Sequence, residues 1–372
     1  MKKSGKQVHG AGWYKDPLGP PFHVNLFYAQ RFIQISAAVP DPRNPKRSCM
    51  IPVAVRLIPK LPKPAKGASA QAWKDYEALK ALNRPGVHAL ELLRRVRAHM
   101  DRSQQAACML WVCGDGGYSN ATVLKDLPPR ARYIGRTRRD INLQRPATTP
   151  VRRGVGRPRA YDGKLATPQQ LHQDRSLPWQ RTEILNGATA TQVRYKCLAP
   201  VRWHAAGETA IVQIIVIAPL RYRKRKQGPW HYTQPAYLIC TEVGLSAFQL
   251  IQAYFWRWGI EVNFKEEKQL FGAGHAQVRG PSSVATAPVV AIAAYAALLL
   301  AGLQVYGFEG LPDSIRPPKW YRRKPAARVT ASALIQQVRA DLLLKAIRDF
   351  SPLRTRRSSD TTPEKFPRSD AA

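Results

Sequence analysis

Four side chains between positions 254 and 268 constrain the fold of this chain most strongly. Tyr254 is followed by Arg257 three residues later, by Glu261 after four more, and by Lys268 after another seven. Steps of three, four and seven residues return a side chain to the same face of a helix. The spacing therefore predicts one helix over roughly 245–270, with a phenol, an acid and two cations along one stripe.

An ordinary amphipathic helix accounts for the same spacing. In that interpretation Arg257 and Glu261 form a solvated i,i+4 ion pair, worth roughly a few tenths of a kcal/mol. The apolar side chains of the same helix would then be core; these are Phe248, Leu250, Ile251, Phe255, Trp256 and Trp258. The functional alternative is contact with phosphate, which suits an acid flanked by two cations and a phenol. The helix alone leaves both interpretations open.

A second constraint is the short apolar run at 108–113, which predicts a buried central strand. The run ends in a glycine-rich stretch that contains Asp115 and Tyr118. A carboxylate at the carboxyl end of such a strand lies where open α/β sheets place their chemistry. The alternative is that Asp115 only caps the following helix.

Net charge narrows the class of partner. The 372 residues include 59 Lys and Arg against 24 Asp and Glu, a formal net charge of +35. Such a field attracts polyanions, with nucleic acid as the first candidate and an acidic membrane surface as the second. Binding to nucleic acid would depend strongly on salt, because it releases counterions.

The helical stripe and the Asp115–Tyr118 pair together resemble bacterial insertion-sequence transposases of the DDE type, which carry a Tyr-Arg-Glu-Lys signature. The resemblance implies an α/β fold, a ribonuclease-H-like mixed sheet flanked by helices and interrupted by a β-rich insertion. It implies that Asp115 and Glu261 are catalytic carboxylates that bind Mg²⁺ or Mn²⁺. It further implies that DNA, as element ends and target, is contacted by Tyr118, Tyr254, Arg257 and Lys268.

The chain departs from this family at its start. Family members carry a Lys-x-Gly-Lys stretch shortly after the first catalytic Asp, and here residues 3–6 are that stretch. The first strand and its Asp are therefore expected to be missing, as in a reading frame shortened at its 5′ end. Asp16 is an in-chain candidate, but it precedes a proline in a Gly/Pro loop. A non-catalytic DNA-binding remnant of a transposase is the alternative to an active enzyme.

The resemblance and the shifts in composition divide the chain into five parts. Residues 1–139 form the first part of the catalytic core, and 140–241 form the β-rich basic insertion. Residues 242–308 return to the core with the Glu helix and an apolar helix. A basic helical region at 309–350 and a disordered tail at 351–372 follow.

Local patterns predict elements within the first part. Alternation predicts strands at 29–39 and 49–58, and Pro52 indicates an edge or a bulge there. Helical patterns follow at 70–82 and 88–102.

The insertion contains two further features that suit DNA. Gly156-Arg-Pro-Arg resembles the core of an AT-hook, in which Arg157 and Arg159 would enter a minor groove. A solvated basic loop explains the same residues. Aromatic residues interleaved with cations suit contact with the backbone and stacking on unpaired bases; these are Trp203, Tyr222, Trp230 and Tyr232.

The remaining sequence features concern location and assembly. The uncharged stretch at 287–303 is short and Ala-rich, so a buried helix packed on a sheet is favoured over a membrane span. A basic protein associated with a membrane remains the third hypothesis. Five scattered cysteines indicate reduced thiols in a cytoplasmic protein. Within the cytoplasm, the predicted location is the nucleoid. The family resemblance adds a homodimer on DNA.

Overall fold

The computed structural model describes residues 1–3, 5, 7–16, 19–20, 24–147, 161–187, 189–207, 210–225, 227–308 and 330–350. Its contacts divide the chain into two compact units, Met1–Ala301 and Gly302–Ala372. The first unit contains both stretches that were singled out in the sequence. The Arg157–Arg159 stretch lies outside the described residues.

The first unit begins with two hairpins and two helices. Its elements in order are β1 (Gly12–Lys15), β2 (Leu26–Ala29), β3 (Arg31–Asp41), β4 (Asn44–Ile58), α1 (Ala70–Leu82) and α2 (Pro85–Asp101). β3 and β4 pair in antiparallel fashion, and their register shifts where Ile35 faces Ala54 and Ser36 faces Pro52. Val53 of β4 is left without a register partner in β3, so β4 bulges there. The bulge predicted at Pro52 is therefore confirmed.

An eight-stranded mixed sheet forms the centre of the unit. Its strands are β5 (Leu110–Gly114), β6 (Ala131–Arg136), β7 (Gln144–Pro146), β8 (Tyr161–Lys164), β9 (Gln180–Asn186), β10 (Thr189–Arg202), β11 (Ile211–Ile217) and β14 (Ala236–Cys240). Their order is β5-β6-β14-β11-β10-β7-β8, with β9 also on β10. β5 and β6 are parallel and the other pairs antiparallel. The short helices α3 (Ala121–Leu124) and α4 (Pro168–Gln173) and the hairpin β12 (Arg221–Arg223) and β13 (Trp230–Tyr232) complete this region.

The predicted mixed α/β architecture is confirmed, but one strand is not where the sequence suggested. β5 is an edge strand of the described sheet and pairs only with β6. Trp111 in β5 is 40% exposed. The expectation of a buried central strand was wrong, because an apolar run cannot tell which neighbours a strand has. Among the described residues, no strand joins the β3–β4 hairpin to β5.

The predicted Glu helix is two helices, α5 (Ala247–Trp256) and α6 (Gly259–Gln269). Arg257 and Trp258 keep right-handed helical backbone angles between them. The amide N–H groups of Trp258, Ile260 and Glu261 donate to carbonyls three residues back, at 3.0–3.2 Å. This tight turn interrupts a single helix while leaving the stripe of side chains nearly continuous.

The apolar stretch forms α7 (Pro281–Tyr306), which is buried along one side only. Buried residues recur every three to four positions, at Val284, Pro288, Ile292, Tyr295 and Leu299. By length and composition α7 is able to span a membrane, and 28% of its most apolar window is buried. The predicted buried helix is therefore buried on one side only, and side chains such as Val290 and Leu300 are exposed on the other.

The last described helix is α8 (Ala331–Phe350). Thr330 caps this helix, because its Oγ1 accepts from the Ala333 N–H at 3.2 Å.

Two apolar cores lie on the opposite faces of the sheet. One packs the β11 residues Val212, Ile214 and Val216 with side chains from α2 and α3. The other packs Ile215 and Ile217 of the same strand against Leu250 and Ile251 of α5. Alternate side chains of a strand point to opposite faces, so β11, which is buried from Val212 to Ile217, supplies both cores.

Candidate functional site

The loop after β5 presents Asp115 to solvent. Its Oδ1 accepts from the backbone N–H of Gly116 at 2.8 Å and begins a single 3₁₀ turn, Gly116–Tyr118. The cap of α3 is Asn120, whose Oδ1 accepts from the Val123 N–H. Asp115 thus does cap a local turn, while its side chain stays exposed. One oxygen serves the backbone, which leaves the second oxygen for another ligand.

Tyr133 of β6 supports this loop from below. Its ring is 1% exposed, and its hydroxyl lies 3.1 Å from Ser119 Oγ and donates to the Asp115 carbonyl at 3.3 Å. Gly114 and Gly135 are register partners that make room for the ring. A Cβ at either glycine would lie 2.4 Å from the Tyr133 hydroxyl. Tyr133 therefore positions Asp115, a role that the sequence reasoning missed.

The turn between α5 and α6 carries the other predicted residues. Arg257 Nη1 donates to Glu261 Oε1 at 2.9 Å, and the guanidinium lies 5.5 Å from the Tyr254 ring centroid. Arg257 is half-buried, with its side chain 16% exposed. An i,i+4 pair on a free helix would be solvated, so this pair differs from the ordinary surface ion pair.

Electrostatics connect Asp115 with this turn. Burial acts to lower the pKa of Arg257, but Glu261, Tyr254 and Asp115 together raise it. The pKa of Tyr254 is raised, chiefly by burial, with Arg257 acting against this and Asp115 contributing to it. Asp115 and Glu261, distant in sequence, therefore both act electrostatically on one guanidinium.

Two polar atoms at the turn lack partners among the described residues. Arg257 Nε and Glu261 Oε2 are both buried and form no hydrogen bond there. Burying a donor and an acceptor without partners costs about 1–3 kcal/mol each. A ligand that offers an anionic oxygen to Nε and a cation to Oε2 would satisfy both atoms.

The opposite side of α6 is fixed by a buried polar network. Gln34 Nε2 of β3 donates to Glu267 Oε1 at 2.8 Å, and Asn263 Nδ2 donates to Ser36 Oγ at 3.2 Å. The Tyr295 hydroxyl of α7 lies 3.1 Å from Asn263 Oδ1. Sequence reasoning missed these residues. The sequence did carry a signal for this network, because Asn263 and Glu267 are one helical turn apart and therefore share one face of α6.

Two thiols of the sheet, Cys113 of β5 and Cys240 of β14, are unreactive at neutral pH. Burial raises the pKa of Cys113 to about 12 and that of Cys240 to about 11. Both thiols stay protonated at neutral pH and do not act as nucleophiles. All five cysteines are free, and Cys108 is the exposed one.

The remaining predicted residues lie outside the α5–α6 turn, each in different surroundings. Tyr118 packs between the sheet core and the β3–β4 hairpin, and burial raises its pKa. Lys268 is exposed in the last turn of α6, where its charge acts on the amino group of Met1. Asp16 pairs with Lys2 at 4.0 Å on the N-terminal hairpin.

The two carboxylates are candidate ligands for a divalent metal ion. The described residues contain no group of three His, Cys, Asp or Glu that could hold one. Mg²⁺, however, is often bound by one or two carboxylates together with waters and phosphate oxygens of the substrate. Asp115 and Glu261, with its unpartnered Oε2, fit that smaller donor set.

Comparison with known proteins identifies the family. Residues 84–296 match the family model of the transposase DDE domain. The match covers more than half of the 372 residues and includes both β5 and the α5–α6 turn. The chain therefore belongs to the DDE transposase family, and its central mixed sheet is of the ribonuclease-H-like type. No curated protein matches the chain.

Family membership supports the general expectations for partner and cofactor. A transposase domain acts on DNA, and members of the family generally use divalent metal ions and are typically soluble cytoplasmic proteins.

Proposed function

We propose that this chain is an insertion-sequence transposase whose Asp115 and Glu261 flank the scissile phosphodiester during DNA strand cleavage and transfer. The observation that carries the proposal is that Arg257 pairs with Glu261 and its charge also interacts with that of Asp115. Two carboxylates and a half-buried cation, brought together from a strand end and a helix turn, suit phosphoryl transfer between oxygen atoms.

Each residue has a separate task in this proposal. Arg257 orients Glu261 through Nη1 and offers its unpartnered Nε–H to a phosphate oxygen. Tyr254 supports the guanidinium from its ring face and donates its hydroxyl to the DNA backbone. Burial raises the pKa of this phenol, so it remains a proton donor at neutral pH.

Asp115 and Glu261 would hold Mg²⁺ or Mn²⁺, and the bound ion would stabilise charge on the attacking or leaving oxygen. Tyr133 keeps Asp115 in place for this role through its hydrogen bond to the Asp115 carbonyl. The exposed Lys268 and the half-buried Tyr118 extend the contact to neighbouring phosphates. Two copies of the chain would act on paired element ends.

Glu261→Gln tests the catalytic role. The change removes an anionic metal ligand while keeping the shape and the acceptor for Arg257, so cleavage should fall by at least about 100-fold. Affinity for DNA should remain within about twofold, because no phosphate contact is lost. Nicking of a duplex that carries the sequences flanking the reading frame, with Mg²⁺ or Mn²⁺, measures the first effect. Fluorescence anisotropy on the same duplex measures the second.

Glu77→Gln is the matched control, because Glu77 lies on exposed α1 and pairs only with Lys80 in the described structure. It makes the same chemical change far from the proposed centre in sequence. Asp115→Asn should behave like Glu261→Gln. Full cleavage by either of these site variants contradicts the assigned roles.

A DNA-binding remnant without catalysis is the second candidate. It is favoured by one observation: the described residues contain no group of three His, Cys, Asp or Glu that could hold a metal ion. DNA binding by the wild-type chain, with no nicking under any of these metal conditions, identifies the remnant. Metal-dependent nicking that is lost in both site variants identifies the enzyme.

A further inference from the structure

A separate cluster of arginines lies in the β-rich part of the chain. Arg181 of β9, Arg194 of β10 and Arg221 of β12 line one cleft with a volume of about 370 Å³. We refer to it as the arginine cleft. Its other lining residues are Gln192, Ala218, Pro219, Leu220 and Tyr232. Three cations and no acid in one cleft point to an anionic ligand.

The strand register makes this cluster costly for the free protein. Arg181 and Arg194 are direct partners in the antiparallel β9–β10 ladder, so their side chains leave the same face. Directly opposite side chains have Cβ atoms about 5 Å apart, and like charges there destabilise the pair. An anion bound between them would convert that repulsion into attraction.

Nearby carboxylates do not neutralise the cluster. In the described part of the chain, no ion pair to an acid forms at Arg181, Arg194 or Arg221. Glu183 is two residues from Arg181 on the same face of β9, but it pairs with Lys46 at 2.7 Å. The acid on the same face of β9 is therefore paired with another cation.

Aromatic rings hold two of the guanidinium groups. Arg194 lies 5.8 Å from the Trp179 ring centroid, and Arg221 lies 4.6 Å from that of Trp230. A guanidinium over a ring keeps its N–H edges free for bidentate contact with phosphate. Tyr232, the register partner of Arg221, is 67% exposed and offers a ring beside the cleft.

The arginine cleft is distinct from the site at the α5–α6 turn. Ile184 and Val193 alternate with the arginines along β9 and β10, and they pack into the core shared with α5. Arg181 and Arg194 point to the other face of these strands. A DNA segment in the cleft is therefore contacted by a different face of the sheet from the one that packs on α5.

We propose that the arginine cleft binds the phosphodiester backbone of DNA at a second contact surface, outside the catalytic centre. The proposal rests on the proposed function for its partner and adds a surface that the Asp115 and Glu261 site does not require. DNA is the occupant because the cleft is open, cationic and bordered by an exposed ring. The chain also carries the net charge of +35 that suits a long polyanion.

The test compares the full-length chain with Arg181→Gln/Arg194→Gln. Fluorescence anisotropy on a labelled duplex, titrated across salt concentrations, measures affinity and its salt slope. Losing two phosphate contacts should weaken binding by about tenfold or more and lower the slope by about two units. The variant should melt at the same or a higher temperature than the wild type without DNA, because a repulsive pair is removed.

Lys63→Gln/Lys66→Gln is the matched control. It removes two positive charges from exposed positions between β4 and α1. Its affinity should fall by less than about threefold, since only the general field is reduced. Arg221→Gln, on the exposed β12–β13 hairpin, repeats the test if the double variant does not fold. It should lower the slope by about one unit.

Each result has a defined meaning. Equal weakening by the cleft and control variants overturns the arginine cleft and leaves the proposed transposase function standing. A wild-type chain that does not bind duplex DNA even at low salt overturns both. A rise in melting temperature with inorganic phosphate alone, equal to that with DNA and lost in the cleft variant, identifies a small-phosphate site and overturns the assignment to DNA.

Discussion

Glu267 illustrates how a single side chain of α6 combines burial and charge. It is 2% exposed and accepts from Gln34, yet no cation pairs with it among the described residues. Burial raises its pKa, while the Gln34 hydrogen bond and the charge of Lys268 act in the opposite direction. The folded state therefore favours protonated Glu267 more than the unfolded chain does.

This shift makes stability depend on pH with a definite sign. A raised carboxyl pKa gives a contribution that is fully present below the unfolded value of 4.5 and is lost as pH rises through the folded pKa. Glu267→Gln removes the titrating group and keeps the acceptor for Gln34. The variant should be more stable than the wild type at about pH 7.5, with the difference shrinking towards pH 4.5.

Urea unfolding at several pH values measures this effect, with Glu77→Gln on exposed α1 as the control. A difference between Glu267→Gln and the wild type that stays constant with pH would show that Glu267 is not the titrating group.

At the scale of elements, Gly259 fixes the approach of α6 to the β3–β4 hairpin. A Cβ at this position would lie 2.3 Å from Met50 Cγ and 3.1 Å from Met50 Cβ. Trp256 adds a second attachment, because its Nε1–H donates to the Lys46 carbonyl at 2.8 Å. The turn that carries Arg257 therefore depends on contact with a hairpin far away in sequence.

Gly259→Ala should destabilise the protein by about 1–3 kcal/mol through overpacking, even though alanine is the better helix former. The cost should be smaller in a Met50→Ala background, where space is available. A double-mutant cycle from chemical denaturation measures this coupling. Additive effects of the two substitutions would contradict the proposed contact.

At the scale of the whole molecule, charge governs the expected behaviour. The net charge of +35 should give a DNA affinity that falls steeply with salt. If at least about six phosphates are neutralised, the slope of log K against log salt is about −5 or steeper.

Lys268→Ala should reduce the magnitude of this salt slope by about one unit, because one exposed cation is lost. Anisotropy titrations from about 50 mM to about 200 mM salt measure both values. A slope near zero would contradict binding through phosphates.

The outer side of α7 also belongs to this scale. Its exposed apolar residues kept open the hypothesis of a membrane-associated protein. Family membership favours a soluble protein instead.

The sequence was sufficient for features that depend on local spacing and composition. Steps of three and four residues aligned Tyr254, Arg257 and Glu261, since helical geometry is set by the backbone alone. The glycine-rich loop after the apolar run marked Asp115, and the excess of cations indicated DNA.

Tertiary structure decided what depends on contacts between distant segments. It made β5 an edge strand, divided the Glu helix at Arg257 and left half of α7 exposed. It also brought Tyr133 beneath Asp115 and joined Arg181 with Arg221, because packing and strand register are properties of neighbours that no local pattern records.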